Sequence, residues 1–385
     1  MSKFSAALKV FAFFPPLLLL VCTIGAVACG KTVYVTVTAT NTSSSTATAS
    51  PATMAFVSNF NSGTISEFKR DITTGRLTRV GVVPAGSKKG PKGMAITPSN
   101  AFLYAANFGD GKIYEYSIGS DAVLTSLGSV SDGSGSGPSW IAIHPQGTFL
   151  WVTNFSNGTI STWSIGSTGM LTSVQTVTGL AGPLGLAVNS TGKILYVADN
   201  KAGLIYTFTI NSSTGALSQN GLPVPSLPNL NGSPGLMTMD PTGSFLFTDD
   251  IANGVVSSFN ISQGLSKRLQ RQYAGWDRNR STYFGDVCRD SEPRGREHMG
   301  LPDSEFGVLT TPISSGSVSN PTGLAVDPQN AFMYTADQGD GTVGIFEFNV
   351  ACPTVVQVVC QIGTTASETS PPSDGSAPFD VVLTN

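Results

Sequence analysis

The sequence predicts an all-β fold, a seven-bladed β-propeller of four-stranded antiparallel blades. Three observations carry that expectation: a long-period repeat, the strand grammar inside it, and complementary chain ends. The repeat has the form Y-V-A-N-x-x-x-G-T-V. It reads Phe56–Asn59, Tyr104–Asn107, Trp151–Asn154, Tyr196–Asp199, Phe247–Asp250 and Tyr334–Asp337, with Gly63, Gly111, Gly158, Gly203, Gly254 and Gly341 each four residues further on. The anchors are spaced by 48, 47, 45 and 51 residues and then by 87, so one anchor is missing near residue 293 and the six observed imply seven units.

Each unit opens with a proline six residues before a polar turn residue: Pro91 to Thr97, Pro138 to His144, Pro183 to Asn189, Pro234 to Asp240 and Pro321 to Asp327. A short apolar run lies between them, as in Met94–Ile96 and Leu324–Val326. A turn, an aromatic-rich strand ending at the Asn/Asp anchor, a tight glycine turn, an alternating strand such as Thr159–Ile165 and a weaker fourth strand follow. This is an antiparallel meander, and a period of this length with four strands per unit is the signature of propeller blades. Helical periodicity is missing from the repeats, whereas Gly, Ser and Thr are abundant and charge is scarce, as stacked sheets joined by short turns require.

The ends of the repeat region are complementary. Pro378–Thr384 has the spacing of an innermost strand but no blade after it, while Met54–Ser58 begins a blade at its second strand. Pairing the two closes the ring and leaves no free sheet edge at the seam. The propeller is therefore expected to span residues 54–385.

Residues 266–305 do not fit. They hold seven of the chain's ten arginines and 15 of its 45 charged residues, and show no strand pattern. An inserted charged loop that binds a partner and a solvated loop are two readings. A one-base shift of reading frame is a third, and it explains more. With permitted codons it converts Glu292–Asp303 into N-R-G-D-G-N-T-W-V-Y-Q-I, which parallels Asn107–Ile118 and puts an asparagine where the missing anchor is expected. On that reading the sixth blade is damaged, and Cys288 and His298 carry no evolved function.

The N-terminus combines Lys3 and Lys9, an apolar run from Val10 to Val21 and the small residues Ala26–Ala28 before Cys29. This is a signal-peptide layout over residues 1–28. The segment resembles a bacterial lipoprotein cleavage box with Cys29 as the lipidated residue and Ala26 where leucine is usual; ordinary cleavage and an uncleaved anchor are the alternatives. Residues 29–53, dominated by Thr, Ser and Ala, then form a flexible tether. The expected location is extracytoplasmic, lipid-anchored to the cell envelope or secreted. In an oxidising compartment Cys352 and Cys360 can bridge neighbouring outer strands, the alternative being two free thiols.

A net charge of −3 gives no electrostatic case for nucleic acid. No phosphate loop, metal-ligand cluster or nucleophile elbow is present, so no cofactor and no metal are expected.

The motifs Tyr196–Asp199 and Trp151–Asn154, each followed by a glycine turn, resemble the YVTN repeat, and residues 54–385 resemble the seven-bladed lactonase-like propellers, which include 6-phosphogluconolactonases, muconate-lactonising enzymes and many exported proteins of unassigned activity. The resemblance implies the fold and, more weakly, a lactonase activity. It also implies histidine, glutamate and arginine side chains around the central cavity, and the innermost strands of this chain carry almost none.

The catalytic candidates are His144 and Asp380. His144 occupies the turn position of Thr97, Asn189, Asp240 and Asp327, where a side-chain hydrogen bond caps the turn. Where innermost strands carry Gly93, Gly185 and Gly323, three copies have Trp140, Leu236 and Asp380 instead. Trp140 and Asp380 offer a stacking surface and a polar contact at the tunnel mouth; alternatively, Trp140 plugs the channel and Asp380 is solvated. Lys88, Lys89 and Lys92 share a face with Asp110, forming a basic rim for a ligand or a solvated cluster. The anchors Asn59, Asn107, Asn154, Asp199, Asp250 and Asp337 read as structural. The first functional expectation is an extracytoplasmic binding or scaffolding module, with an unidentified small-molecule or protein ligand at the propeller face and the membrane reached through the lipid anchor. The alternative is a lactonase-type hydrolase acting on a sugar lactone.

Overall fold

The computed structural model describes residues 54–87, 89–227, 232–239, 243–250, 252, 255–261, 267–272, 321–326, 332–338, 341–350, 358–366 and 378–384. The expected export segment and tether with Cys29, the greater part of 266–305, Lys88 and Cys352 lie outside the described residues.

Six antiparallel sheets are present among the described residues, each a blade read from the ring axis outward. In the first, β1 (Met54–Asn59), β2 (Thr64–Arg70) and β3 (Leu77–Pro84) take the three outer places. The second holds β4 (Pro91–Ile96), β5 (Phe102–Asn107), β6 (Lys112–Ile118) and β7 (Leu124–Ser131), and the third holds β8 (Pro138–Ile143), β9 (Phe149–Asn154), β10 (Thr159–Ile165) and β11 (Leu171–Val177). The fourth is β12 (Pro183–Val188), β13 (Ile194–Asp199) and β14 (Leu204–Ile210), with its outer edge split into β15 (Leu217–Gln219) and β16 (Val224–Pro225) around Gly221 and Pro223. The fifth is β17 (Pro234–Met239), β18 (Phe245–Asp250), β19 (Val255–Asn260) and β20 (Lys267–Gln272); the last complete one is β21 (Pro321–Val326), β22 (Phe332–Asp337), β23 (Thr342–Val350) and β24 (Val358–Ala366).

The chain's final strand, β25 (Pro378–Leu383), is the missing innermost strand of the first blade. It pairs antiparallel with β1, Val57 opposite Val381, and Thr384 and Met54 exchange hydrogen bonds at the seam. The expected closure is therefore present. The innermost strands neighbour one another in the order β21, β25, β4, β8, β12, β17. Between β17 and β21 there is no comparable contact among the described residues, and this is where the missing anchor falls in sequence.

One expectation needs correcting: β20 lies inside the segment in which no strand was read. An outer strand has one sheet neighbour, and its ladder with β19, from Lys267 opposite Asn260 to Gln272 opposite Val255, is made by backbone groups. Such pairing tolerates a charged sequence on an edge.

The aromatic residues of the repeat are explained by contacts between blades. Tyr104, Trp151 and Tyr334 are buried, and each sends its polar tip into the next blade, to the carbonyl of a glycine in the turn before the fourth strand. Tyr104 Oη donates to Gly169 at 2.8 Å, Trp151 Nε1 to Gly215 at 3.0 Å and Tyr334 Oη to Gly75 at 2.8 Å. The aromatic two residues earlier packs against the same glycine: a Cβ on Gly169 would stand 2.4 Å from the Phe102 ring, and one on Gly215 2.6 Å from Phe149. These glycines also have positive φ, 84° at Gly169 and 73° at Gly215. Ala122 takes the equivalent place in the second blade with φ 70°, and there the facing residues are Met54, which is flexible, and Phe56, which has no hydroxyl.

A second tie runs alongside. The buried carboxylate of Glu67 accepts the Leu124 amide at 2.6 Å, and that of Glu115 accepts the Leu171 amide at 2.9 Å, each reaching into the next blade. Gln175 Oε1 does the same for Leu217 at 2.7 Å.

Substituting Gly169 by alanine combines left-handed strain with overpacking against Phe102 and is expected to cost about 2–5 kcal/mol in denaturant unfolding. Ala122→Gly, which removes a side chain from the same conformation, is expected to change stability by less than about 1 kcal/mol. Equal effects of the two substitutions would contradict this assignment.

Candidate ligand site

Each innermost strand begins beside an anchor, since Pro91 lies opposite Asn107 and Pro138 opposite Asn154, and ends at a polar turn on the other side of the ring. The beginning end carries the candidate site. Phenylalanine follows three successive anchors, as Phe60, Phe108 and Phe155, and Phe379 occupies the second place of β25, equivalent to Lys92 of β4. The Phe60 and Phe379 ring centroids are 5.6 Å apart. Lys92 Nζ lies among these rings, 3.8 Å from the centroid of Phe108, 5.6 Å from Phe379 and 5.7 Å from Phe60. Its backbone carbonyl is held by Ser58 Oγ at 2.9 Å. Burial pushes the ammonium down to about 8, while the ring faces favour the cation. Beside this cluster, Lys201 Nζ stands 4.5 Å over Phe155.

The other residues singled out from the sequence do not join this cluster. Asp380 is buried on the inner wall; its Oδ2 accepts the Met94 amide of the second blade at 2.8 Å and its Oδ1 accepts Val381 at 2.9 Å. Burial raises it to about 7 against these two bonds. It stitches the first blade to the second. Trp140 is half-buried, donates its amide to Thr153 Oγ1 at 3.2 Å and covers Gly93, where a Cβ would meet its Cα at 2.8 Å. The inner strand bulges at this place in each blade, which re-aims the exceptional residue toward its neighbour.

Asp110 accepts the Tyr114 hydroxyl at 2.7 Å and the Lys112 amide at 3.2 Å, so it organises its own turn. Lys89 is exposed in the loop that follows β3. His144 is buried at the opposite end of the ring; Nδ1 accepts the Gln146 amide at 3.1 Å, and the imidazole packs edge-on against Phe149. The anchors serve turns and loops: Asn107 Oδ1 accepts Gly109 and Asp110, Asn59 and Asn154 bind hydroxyls of the following strand, and Asp199 and Asp250 accept amides of the preceding inter-blade loop. The Asp337 side chain is buried at the same place in the last blade.

Asp249 escaped the sequence reading. It precedes an anchor where other blades carry Ser58, Ala106, Thr153, Ala198 or Ala336, and that departure from small residues is the signal it offers. Burial raises it to about 7, opposed by hydrogen bonds from the Leu236 and Gly235 amides of the inner-strand bulge.

Comparison with known proteins agrees with this architecture. A family model described as lactonase, 7-bladed β-propeller, matches residues 51–182 and 163–281, more than half of the chain. The chain belongs to this lactonase family of seven-bladed propellers. Six blades are described in it, and the family's seventh corresponds to the gap between β17 and β21. A candidate 6-phosphogluconolactonase of Bacteroides uniformis is similar at 16% identity and TM-score 0.65, over 86% of this chain and 99% of that one. A Lactobacillus plantarum protein is similar at 14% and 0.66, over 87% and 99%. The periplasmic gluconolactonase of Pseudomonas aeruginosa is similar at 14% and 0.51, over 86% and 99%. At these identities the likeness is one of fold. No curated protein matches the chain.

Asp380 supplies a pH test of this lactonase-family propeller. Its folded value, about 7, lies above the ordinary 3.8, so the folded state favours the neutral acid. The associated stability is complete below 3.8 and is lost as pH rises toward 7; Asp249 acts in the same direction. The melting temperature of the wild type is expected to fall more steeply from pH 4.5 to 8 than that of Asp380→Asn, and parallel curves would contradict the assignment.

Proposed function

We propose that this propeller acts on a sugar-type lactone at the Lys92 end of the ring, as a lactone hydrolase. The observation that carries the reading is the collar of Phe60, Phe108 and Phe379 around an ammonium that has no hydrogen-bond acceptor among the described residues. Family membership and the gluconolactonase-type neighbours support it. Phenylalanine faces suit the C–H face of a sugar ring. An ammonium held in an apolar surround stabilises the oxyanion that forms when water attacks the lactone carbonyl. The ring C–O bond then breaks, and the former ring oxygen takes a proton to leave a hydroxy acid.

One observation favours a second reading, a sugar-binding module without turnover. Hydrolysis needs a general base within reach of the attacking water; Asp380 on the inner wall is engaged through both oxygens, and the Asp249 carboxyl is buried on the second strand of its blade and turned to backbone amides, with Oδ1 unpartnered among the described residues. We place the site of action outside the cytoplasm, with the chain tethered through its N-terminal segment; the signal-peptide layout and Cys29 support this.

Hydrolysis of glucono-δ-lactone by the purified chain, followed by acid release in a pH-stat, separates the readings. The expected result is acceleration over the spontaneous reaction that falls at least about tenfold in Phe108→Ala and Lys92→Met, the loss typical of removing an oxyanion stabiliser or a positioning surface. His144→Asn is expected to leave the rate unchanged. No acceleration by the wild type would eliminate the hydrolase and leave the binding module.

A further inference from the structure

We propose that Lys92 is a carboxylate-binding site, so that the open-chain sugar acid is held more tightly than the neutral lactone from which it forms. The inference deepens the reading above and rests on its placement of the sugar at this end of the ring.

The Lys92 ammonium carries three N–H donors. None has an acceptor among the described residues, and the nearest groups are the rings of Phe108, Phe60 and Phe379. Taking a cation out of water without a counter-charge is unfavourable, and ring faces recover part of that cost. The charged groups on the elements around it are otherwise engaged: Asp110 by Tyr114 and Lys112, Asp380 by Met94 and Val381. Lys89 is exposed and of like charge. An incoming carboxylate therefore meets a cation with unused donors in an apolar surround, where charge-assisted hydrogen bonds are about twice as strong as neutral ones.

That setting distinguishes the two sides of the reaction. A lactone brings a neutral carbonyl; ring opening turns the same carbon into a carboxylate. One ammonium also matches one negative charge. A phosphate dianion at Lys92 would leave a charge uncompensated among phenylalanines, since Lys89 is exposed in the loop after β3 and Lys201 lies over Phe155. The consequence is product retention: acid accumulating outside the protein throttles its own formation.

Calorimetric titration of the purified chain with D-gluconate and with D-gluconamide, its neutral counterpart, tests the proposal. Gluconate is expected to bind at least about tenfold more tightly at pH 6.5, because only the carboxylate adds an opposite charge to the hydrogen bond that the ammonium can give either ligand. Lys92→Met, which fills the cage with an apolar chain of similar length, should remove the preference, costing gluconate far more affinity than gluconamide, with the melting temperature unchanged or raised. Raising the pH to 9.5 should weaken gluconate more than gluconamide, because the ammonium titrates near 8. Inorganic phosphate should compete more weakly than gluconate.

Equal affinity for the two ligands, no binding of either, or a preference that survives Lys92→Met would overturn the proposal. Lactone turnover measured on the same preparations keeps it distinct from the hydrolase reading. Turnover without a gluconate preference overturns only the carboxylate site; a Lys92-dependent preference without turnover upholds the site and removes the hydrolase.

Discussion

Blade-to-blade packing is the constraint on which the rest of this structure depends. A four-stranded sheet cannot bury both of its faces by itself, and here neighbouring blades complete one another through recurring contacts: at three junctions an aromatic ring on a turn glycine with a polar tip on that glycine's carbonyl, and at three a carboxylate or carboxamide on a fourth-strand amide. Nearer the axis, glycine at one inner bulge makes room for a larger residue at the following one. Gly93 faces Trp140, Gly185 faces Leu236 and Gly323 faces Asp380, with an added Cβ meeting backbone atoms at 2.8, 2.3 and 2.6 Å respectively. Small and large residues alternate at this place through the described blades, from Gly323 to Asp380, Gly93, Trp140, Gly185 and Leu236.

The same packing divides the molecule into a structural end and a variable one. At the end where the innermost strands finish, Thr97, His144 and Asn189 cap their turns, so substitution there disturbs the fold first. At the beginning end, the residues after the anchors and the second residues of the innermost strands are less uniformly committed to inter-blade work, although Asn200 still donates to Ser233 and Pro234 of the next blade. Their identities vary from copy to copy: Phe60, Phe108, Phe155 and Asn200 after anchors, and Lys92, Ser139, Leu184 and Phe379 on the strands. A repeat architecture places its chemistry where the repeat is not needed, and the Lys92 collar lies there.

Most of the fold was legible because it rests on local chemistry that recurs. Proline opens each inner strand, glycine closes each hairpin, and the spacing of anchors counts the blades. The seam was legible because the two ends lack complementary parts. The site was less so, for physical reasons. Lys92 stood out from sequence only as one of three neighbouring lysines, and its three phenylalanines come from anchors 48 residues apart and from the other end of the chain. Asp380 was noticed as an exception but read as a mouth residue, because a sequence does not show that the Met94 amide of the next blade points at its carboxylate. Asp249 was hidden beside an anchor of the same residue type. The strand at Lys267–Gln272 was missed because outer-edge pairing leaves little trace in side-chain pattern.

If the blades support one another in a closed circuit, the seam at β25 and β1 should protect amides in more than one blade. Hydrogen exchange on the full chain and on a chain ending at Ala377 measures this directly. Strong protection is expected at Phe56, which faces Val382 across the seam in the first blade, and at Met94, bonded to Asp380, in the second, with both lost on truncation while β13 keeps most of its protection. Unchanged exchange at Phe56 and Met94 in the truncated chain would contradict the closed circuit.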